Sequence, residues 1–131
     1  MNYSVEHLGL AAQDTAALKD WYVKTFGGEM VFTDGQLLAA FFVKLPGGVM
    51  LEIYQANKSL KDTTDNKLAG WRHVALYVDS IADSKTELES RGVKFTEAVA
   101  PAGGGGSVLY FEDCEGNLLH LVERPAGSLF H

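Results

Sequence analysis

Two periods of hydrophobicity take turns along this chain. Residues 4–12 (SVEHLGLAA) alternate in side-chain character and predict a β-strand, in which successive side chains point to opposite faces. Asp14, a good helix N-cap, follows, and the period then changes. Ala17, Leu18, Trp21, Tyr22 and Phe26 recur close to every 3.6 residues until Gly27 and Gly28 stop the helix. Three extended segments come next, EMVFTD, LLAAFFVKL and VMLEIYQ, with turn signals at Asp34–Gly35 and Pro46–Gly47–Gly48. Residues 57–70 (NKSLKDTTDNKLAG) are polar and aperiodic and read as a linker. The order then returns. WRHVALYVD predicts a strand, Ser80 a cap and IADSKTELESRG a helix closed by Gly92, and VKFTEA, SVLYFED and NLLHLVE predict strands. Each half therefore reads β-α-β-β-β.

The residues support an internal duplication. Placing His7 on His73 lays HLGL over HVAL, Asp14 over Ser80 and Lys19 over Lys85. Later in each half GVMLEI lies over GNLLHL, so that Glu52 and His120 each stand four residues after a glycine, Gly48 and Gly116. A repeat of this kind governs the architecture and takes precedence over local propensity. The expected organisation is one domain over residues 1–131, with a first module at 1–56, the linker at 57–70 and a second module at 71–125.

Candidate chemistry emerges from the alternation. Leu51 and Ile53 share one strand face, while Met50, Glu52 and Tyr54 share the other; Leu119 and Leu121 oppose Leu118, His120 and Val122. Leu8 and Leu10 oppose His7 and Gly9, and Val74, Leu76 and Val78 oppose His73, Ala75 and Tyr77. Each strand thus has an apolar face fit to pack on a helix and a second face carrying a single His or Glu. One such residue is ordinarily a hydrogen-bonded structural group. Four at two pairs of repeat-equivalent positions call for a common cause, because burying an unpartnered polar group costs several kcal/mol. Convergence of His7, Glu52, His73 and His120 on one divalent cation supplies that cause, with Zn, Ni, Mn, Fe or Co suiting imidazole and carboxylate donors.

Composition narrows the setting. The chain has 131 residues, 47% hydrophobic and 21% charged, in the ordinary range for a globular domain. Its 11 Lys and Arg are scattered and its net charge is -6, which argues against a nucleic-acid or anionic-membrane partner. No apolar run approaches a membrane span, and MNYSVEHLGL lacks the features of a secretory signal. The single cysteine, Cys114, fits a reducing cytoplasm, the expected location. The terminal His131 reads as a frayed end or a tag remnant.

The segments EHLGLAAQDTAALKDWYVKTFGG, GGVMLEIY, WRHVALYVDS and FEDCEGNLLHLVERP resemble the vicinal-oxygen-chelate superfamily, which includes glyoxalase I, fosfomycin- and bleomycin-resistance proteins, methylmalonyl-CoA epimerase and extradiol dioxygenases. The resemblance implies an α+β fold in which two βαβββ modules form a curved, incompletely closed barrel. It places metal ligands on the first and last strand of each module, at His7, Glu52, His73 and His120. In many small members the modules pair across a homodimer, so that His7 and Glu52 of one chain meet His73 and His120 of another. One departure stands out: several relatives carry Glu where this chain has His120. In glyoxalase I that Glu is also a catalytic base, a role His120 cannot fill while its nitrogen is bound, so Glu52 becomes the expected base.

The resemblance implies a metal-dependent lyase or isomerase that chelates neighbouring oxygens of a small substrate and stabilises an enediolate-like intermediate. Competing expectations are a non-haem iron dioxygenase and a metal-free antibiotic- or metabolite-binding protein on the same frame. Tyr54 and Tyr77, which share faces with Glu52 and His73, are the expected substrate contacts, with Phe41 and Tyr110 as further pocket candidates. Glu123 is expected as an exposed strand end paired with Arg124 or solvent, and Gly103–Gly106 as a permissive loop.

Overall fold

Each half of the chain builds its own four-stranded sheet around one helix. The computed structural model describes residues 1–130; His131 lies outside them. The first half runs β1 (Leu8–Ala12), α1 (Thr15–Phe26), β2 (Glu29–Thr33), β3 (Phe41–Lys44) and β4 (Met50–Gln55). The second runs β5 (His73–Tyr77), α2 (Ile81–Ser90), β6 (Ala100–Pro101), β7 (Ser107–Glu112) and β8 (Leu118–Glu123). Contacts divide the chain into two compact units, Met1–Lys61 and Asp62–His131. Among the described residues no helix is long and apolar enough to cross a membrane.

The two sheets share one topology, β1-β4-β3-β2 and β5-β8-β7-β6. Both are mixed: the first and last strands pair in parallel and the remaining neighbours are antiparallel. Each sheet is open, with the first and second strands of the unit at its edges, so the fold class is α+β, as the resemblance implies. The parallel pairing puts the last strand inside the sheet, next to the first.

The helices start where the sequence marks them. The Asp14 carboxylate accepts from the Ala17 N–H at 3.0 Å, and the Ser80 hydroxyl from the Asp83 N–H at 3.2 Å. Gly27, at φ 70°, closes α1 in the left-handed conformation. Leu18, Tyr22 and Thr25 of α1 are buried on the side that meets the first sheet, whose Phe41, Val43, Leu51 and Ile53 are buried in turn. Ile81 and Leu88 of α2 do the same with Leu109, Phe111, Leu119 and Leu121.

Three segments depart from the expected strands. VKFTEA is not a strand: Val93 is buried and Phe95 packs on Phe111 at 5.2 Å, so side chains anchor the segment without ladder hydrogen bonds. Only Ala100 and Pro101, further on, pair with β7. In LLAAFFVKL the strand is confined to Phe41–Lys44, because the Asp34 carboxylate accepts from Gln36 and Ala40 N–H groups and curls the preceding residues into a loop. The opening strand begins at Leu8, leaving His7 immediately before it.

The β8 exit also differs from expectation. Glu123 is not an exposed partner of Arg124; its carboxylate accepts from the Ile81 N–H at 2.8 Å and ties β8 to the start of α2. Arg124 instead donates to the carbonyls of Gly103 and Gly105, at 2.5 and 2.7 Å, and its guanidinium covers the Phe130 ring at 4.0 Å. The glycine loop is thus pinned. At Gly106, φ is +96° and a Cβ would fall 2.1 Å from the Glu123 carbonyl oxygen, so no other residue fits without moving the backbone. Gly106→Ala is expected to cost at least about 1–3 kcal/mol. Gly47→Ala, also at positive φ but with open space around it, should cost less. Urea denaturation midpoints of the two variants check the contrast, and equal losses would show that the close approach contributes nothing.

Candidate metal centre

Strand register decides which polar residues can meet. In the first sheet Gly9 pairs with Glu52, and Glu52 with Phe42. In the second Ala75 pairs with His120, and His120 with Tyr110. The histidine in each half lies two residues before the first member of its row, so it sits diagonally beside the candidate ligand of the last strand on the same face. The two units reproduce this arrangement independently.

In the first unit His7 Nε2 lies 3.6 Å from Glu52 Oε2, and His7 Nδ1 lies 3.4 Å from Glu6 Oε1. The side chains of His7 and Glu52 are about one-third exposed, at 34% and 32%. The Phe42 ring meets His7 edge-on at 5.5 Å and Phe32 at 5.9 Å, giving the pair an aromatic border. Tyr54 lies over Gly9: a Cβ there would meet the ring's Cε1 at 3.3 Å, so the absence of a side chain makes room for the tyrosine beside Glu52.

In the second unit the His73 and His120 rings stand edge-on with centroids 4.7 Å apart. Tyr110 stacks on His120 at 4.8 Å and 14°, and meets His73 edge-on at 5.7 Å. His73 is exposed, whereas His120 is only 7% exposed. Both ring nitrogens of His120 are buried with no hydrogen-bond partner among the described residues. Such a group costs about 1–3 kcal/mol when left unsatisfied. Burial, with the neighbouring charges of His73 and Arg124 as smaller causes, lowers the His120 pKa to about 4. The imidazole is therefore neutral across the physiological range, the protonation state in which it can donate a lone pair to a metal.

The register thus brings the four candidates together as two pairs, His7 with Glu52 and His73 with His120. Among the described residues no group of three or more His, Cys, Asp or Glu side chains forms a potential metal cluster. Within each pair the donors fit a divalent ion of the imidazole- and carboxylate-binding class, and the orphaned nitrogens of His120 are the observation that favours one.

The proposed substrate contacts fall differently. Tyr54 stays on the Glu52 face. Tyr77 is half-exposed at the far end of β5, where its hydroxyl donates to Asp79 at 3.3 Å. Partial desolvation, then the Asp79 carboxylate, raises its pKa. Phe41 faces α1, buried and covered by the Lys19 ammonium at 4.9 Å, and its neighbour Phe42 takes the polar face instead. Two consecutive phenylalanines leave the phase open, and pairing with Glu52 settles it. Asn66, whose amide touches His73 and Tyr110, carries no signal in the sequence.

A family model described as the Glyoxalase/Bleomycin resistance protein/Dioxygenase superfamily matches residues 4–121. No curated protein matches the sequence significantly. Among solved structures, a glyoxalase family protein from Enterococcus faecalis is 23% identical, with 92% of this chain and 97% of that one covered and a TM-score of 0.77. A glyoxalase/bleomycin resistance protein/dioxygenase superfamily member from Sphaerobacter thermophilus is 28% identical over 94% of this chain and 98% of that one, with a TM-score of 0.70. A mutant of the fosfomycin resistance protein FosX from Listeria monocytogenes, complexed with Mn(II) and 1S,2S-dihydroxypropylphosphonic acid, is 19% identical over 96% and 94%, with a TM-score of 0.71.

The depressed His120 pKa has a consequence for the metal-free protein. The unfolded chain takes up this proton near the ordinary histidine value of 6.5, the folded one only near 4. Stability is therefore expected to fall as pH drops from about 6.5 to about 4 and to level off below, by up to about 3 kcal/mol from this group. Denaturant titrations at pH 7, 5.5 and 4 check it, with His120→Phe expected to lose that part of the slope.

Proposed function

The chain belongs to the glyoxalase/bleomycin resistance protein/dioxygenase superfamily, and on that premise we propose a divalent-metal-dependent enzyme of the glyoxalase type, a lyase or isomerase acting on a small substrate with two neighbouring oxygens. His7, Glu52, His73 and His120 would hold the ion. The single observation that carries the reading is His120, a buried neutral imidazole whose two nitrogens meet no hydrogen-bond partner among the described residues. The Listeria fosfomycin resistance protein complexed with Mn(II) supports a metal on this fold.

When bound, the ion supplies Lewis acidity, so that negative charge can build on the substrate oxygens. The protein residues supply the rest. Glu52, beside the substrate face and held near His7 Nε2, is the base that takes the substrate proton on a carboxylate oxygen. Tyr54, packed over Gly9, and the Phe32–Phe42 pair form an aromatic border that orients an apolar substrate part beside Glu52. Tyr77 is a second substrate contact in this reading. The active unit is a homodimer in which each site takes His7 and Glu52 from one copy and His73 and His120 from another, the arrangement that the resemblance implies.

Elemental analysis of untagged protein tests the reading. Wild-type protein is expected to hold about one transition-metal ion per chain, and His120→Ala and His73→Ala to bind it about 10–100-fold more weakly. His120→Glu should keep an ion but shift preference toward harder cations such as Mn(II). Wild-type protein with no ion after purification, and none regained on soaking in Zn(II), Ni(II) or Mn(II), would sink the proposal.

A further inference from the structure

The segment 62–70 reads as a linker in the sequence, yet it carries a side chain that reaches the candidate centre. It belongs to the second compact unit, and its backbone is held by specific bonds. The Asp65 N–H donates to the Asp62 carbonyl at 2.9 Å, and the Asp65 carboxylate accepts from the Lys67 N–H at 2.9 Å. The Arg72 guanidinium donates to the Asp65 carbonyl at 3.2 Å. Asn66 stands in this turn. Its Oδ1 lies 2.8 Å from His73 Nδ1, and its Nδ2 donates to the Tyr110 hydroxyl at 3.4 Å.

We propose that Asn66 is the positioning residue of the second half, selecting the His73 tautomer that presents Nε2 to a metal and tying that choice to the Tyr110 ring stacked on His120. The first step is the chemistry of the amide. A carbonyl oxygen can only accept, so in neutral His73 the proton must sit on Nδ1. Nε2 then keeps its lone pair and is the nitrogen left for an ion. The opposite tautomer would place the proton on Nε2 and block it. Second, with Oδ1 on His73 the amide turns Nδ2 toward Tyr110 and donates to its hydroxyl at 3.4 Å. The same side chain thus touches His73 and the ring that packs on His120 at 4.8 Å.

The duplication supplies an independent reason. In the first half the residue before the histidine is Glu6, whose carboxylate lies 3.4 Å from His7 Nδ1. The equivalent position before His73 is Arg72, which has no acceptor atom and donates instead to the Trp71 and Asp65 carbonyls. The second half therefore lacks the local acceptor, and Asn66 restores one from the turn that Arg72 itself holds. Both histidines end with Nδ1 facing an oxygen. Outer groups of this kind orient imidazole ligands, and their loss weakens metal binding about 10–100-fold.

This inference rests on the metal reading above, and the experiment separates the two. Zn(II) affinity is measured by competition with a chromophoric chelator for wild type, Asn66→Ala and Asn66→Asp. The His73 tautomer is read in each metal-free protein, at one fixed pH above neutrality, from nitrogen-15 long-range correlations. Wild-type His73 is expected to carry its proton on Nδ1. Asn66→Ala should move it toward Nε2 and weaken Zn(II) binding about 10–100-fold. Asn66→Asp, which keeps the acceptor and cannot donate to His73, should restore the tautomer and bring affinity to wild type or tighter. A wild-type proton on Nε2, an alanine variant within about twofold of wild type, or an aspartate variant as weak as alanine would each overturn the proposal. Should wild-type protein bind no Zn(II), the metal reading falls, and an unchanged His73 tautomer in Asn66→Ala would overturn the role of Asn66 as well.

Discussion

Parallel pairing of the first and last strand in each unit is the constraint on which the rest depends. Parallel neighbours cannot be joined by a tight turn, so a helix and two strands must intervene before the chain returns. The return places β4 between β1 and β3, and β8 between β5 and β7. An inner strand has both backbone edges satisfied by neighbours. Its apolar side chains, Leu51 and Ile53 or Leu119 and Leu121, are buried on the helix face. Its other face is free to carry one polar group beside the histidine of the first strand. Neither pair of candidate ligands would meet without that crossover.

The two units use one frame to give their polar groups different surroundings. Glu52 remains partly open to solvent with His7 close by, while His120 lies beneath the stacked Tyr110 ring with its nitrogens orphaned. The register position opposite each group is aromatic in both sheets, Phe42 in the first and Tyr110 in the second. A set with three imidazoles and one carboxylate would also leave a divalent ion with more of its positive charge than a set with two carboxylates. It would polarise substrate oxygens more strongly and leave proton transfer to Glu52.

The end of β8 is committed to holding the second unit together. Glu123 satisfies an otherwise unpaired N–H at the start of α2, and Arg124 closes the glycine loop through two carbonyls. The Asp113 carboxylate, buried in the preceding turn, accepts from the Glu115 and Asn117 N–H groups and holds the β7–β8 hairpin. That hairpin sets the register in which Tyr110 faces His120. Charged residues next to the candidate centre thus serve its geometry first.

Much of this was readable before any fold was known. Period alone determined the two helices, their caps at Asp14 and Ser80, and the repeat of β-α-β-β-β, because burying one face of a strand or helix leaves a regular trace in side-chain polarity. The repeat also marked His7, Glu52, His73 and His120, as polar residues that break apolar faces at equivalent places. Local pattern could not find contacts made between residues distant in sequence. It mistook VKFTEA for a strand, since buried side chains look alike whether or not a ladder forms, and it offered Phe41 for the pocket face that Phe42 takes. It assigned Glu123 to Arg124 or solvent, although a helix start folds back upon it. Asn66 lies in a polar run that resembles any linker; only packing of its turn against β5 and β7 brings the amide to His73 and Tyr110. The sequence determined the elements and marked the candidates for chemistry, because composition and period are local. The tertiary structure decided their partners, because register and crossover are properties of the folded sheet.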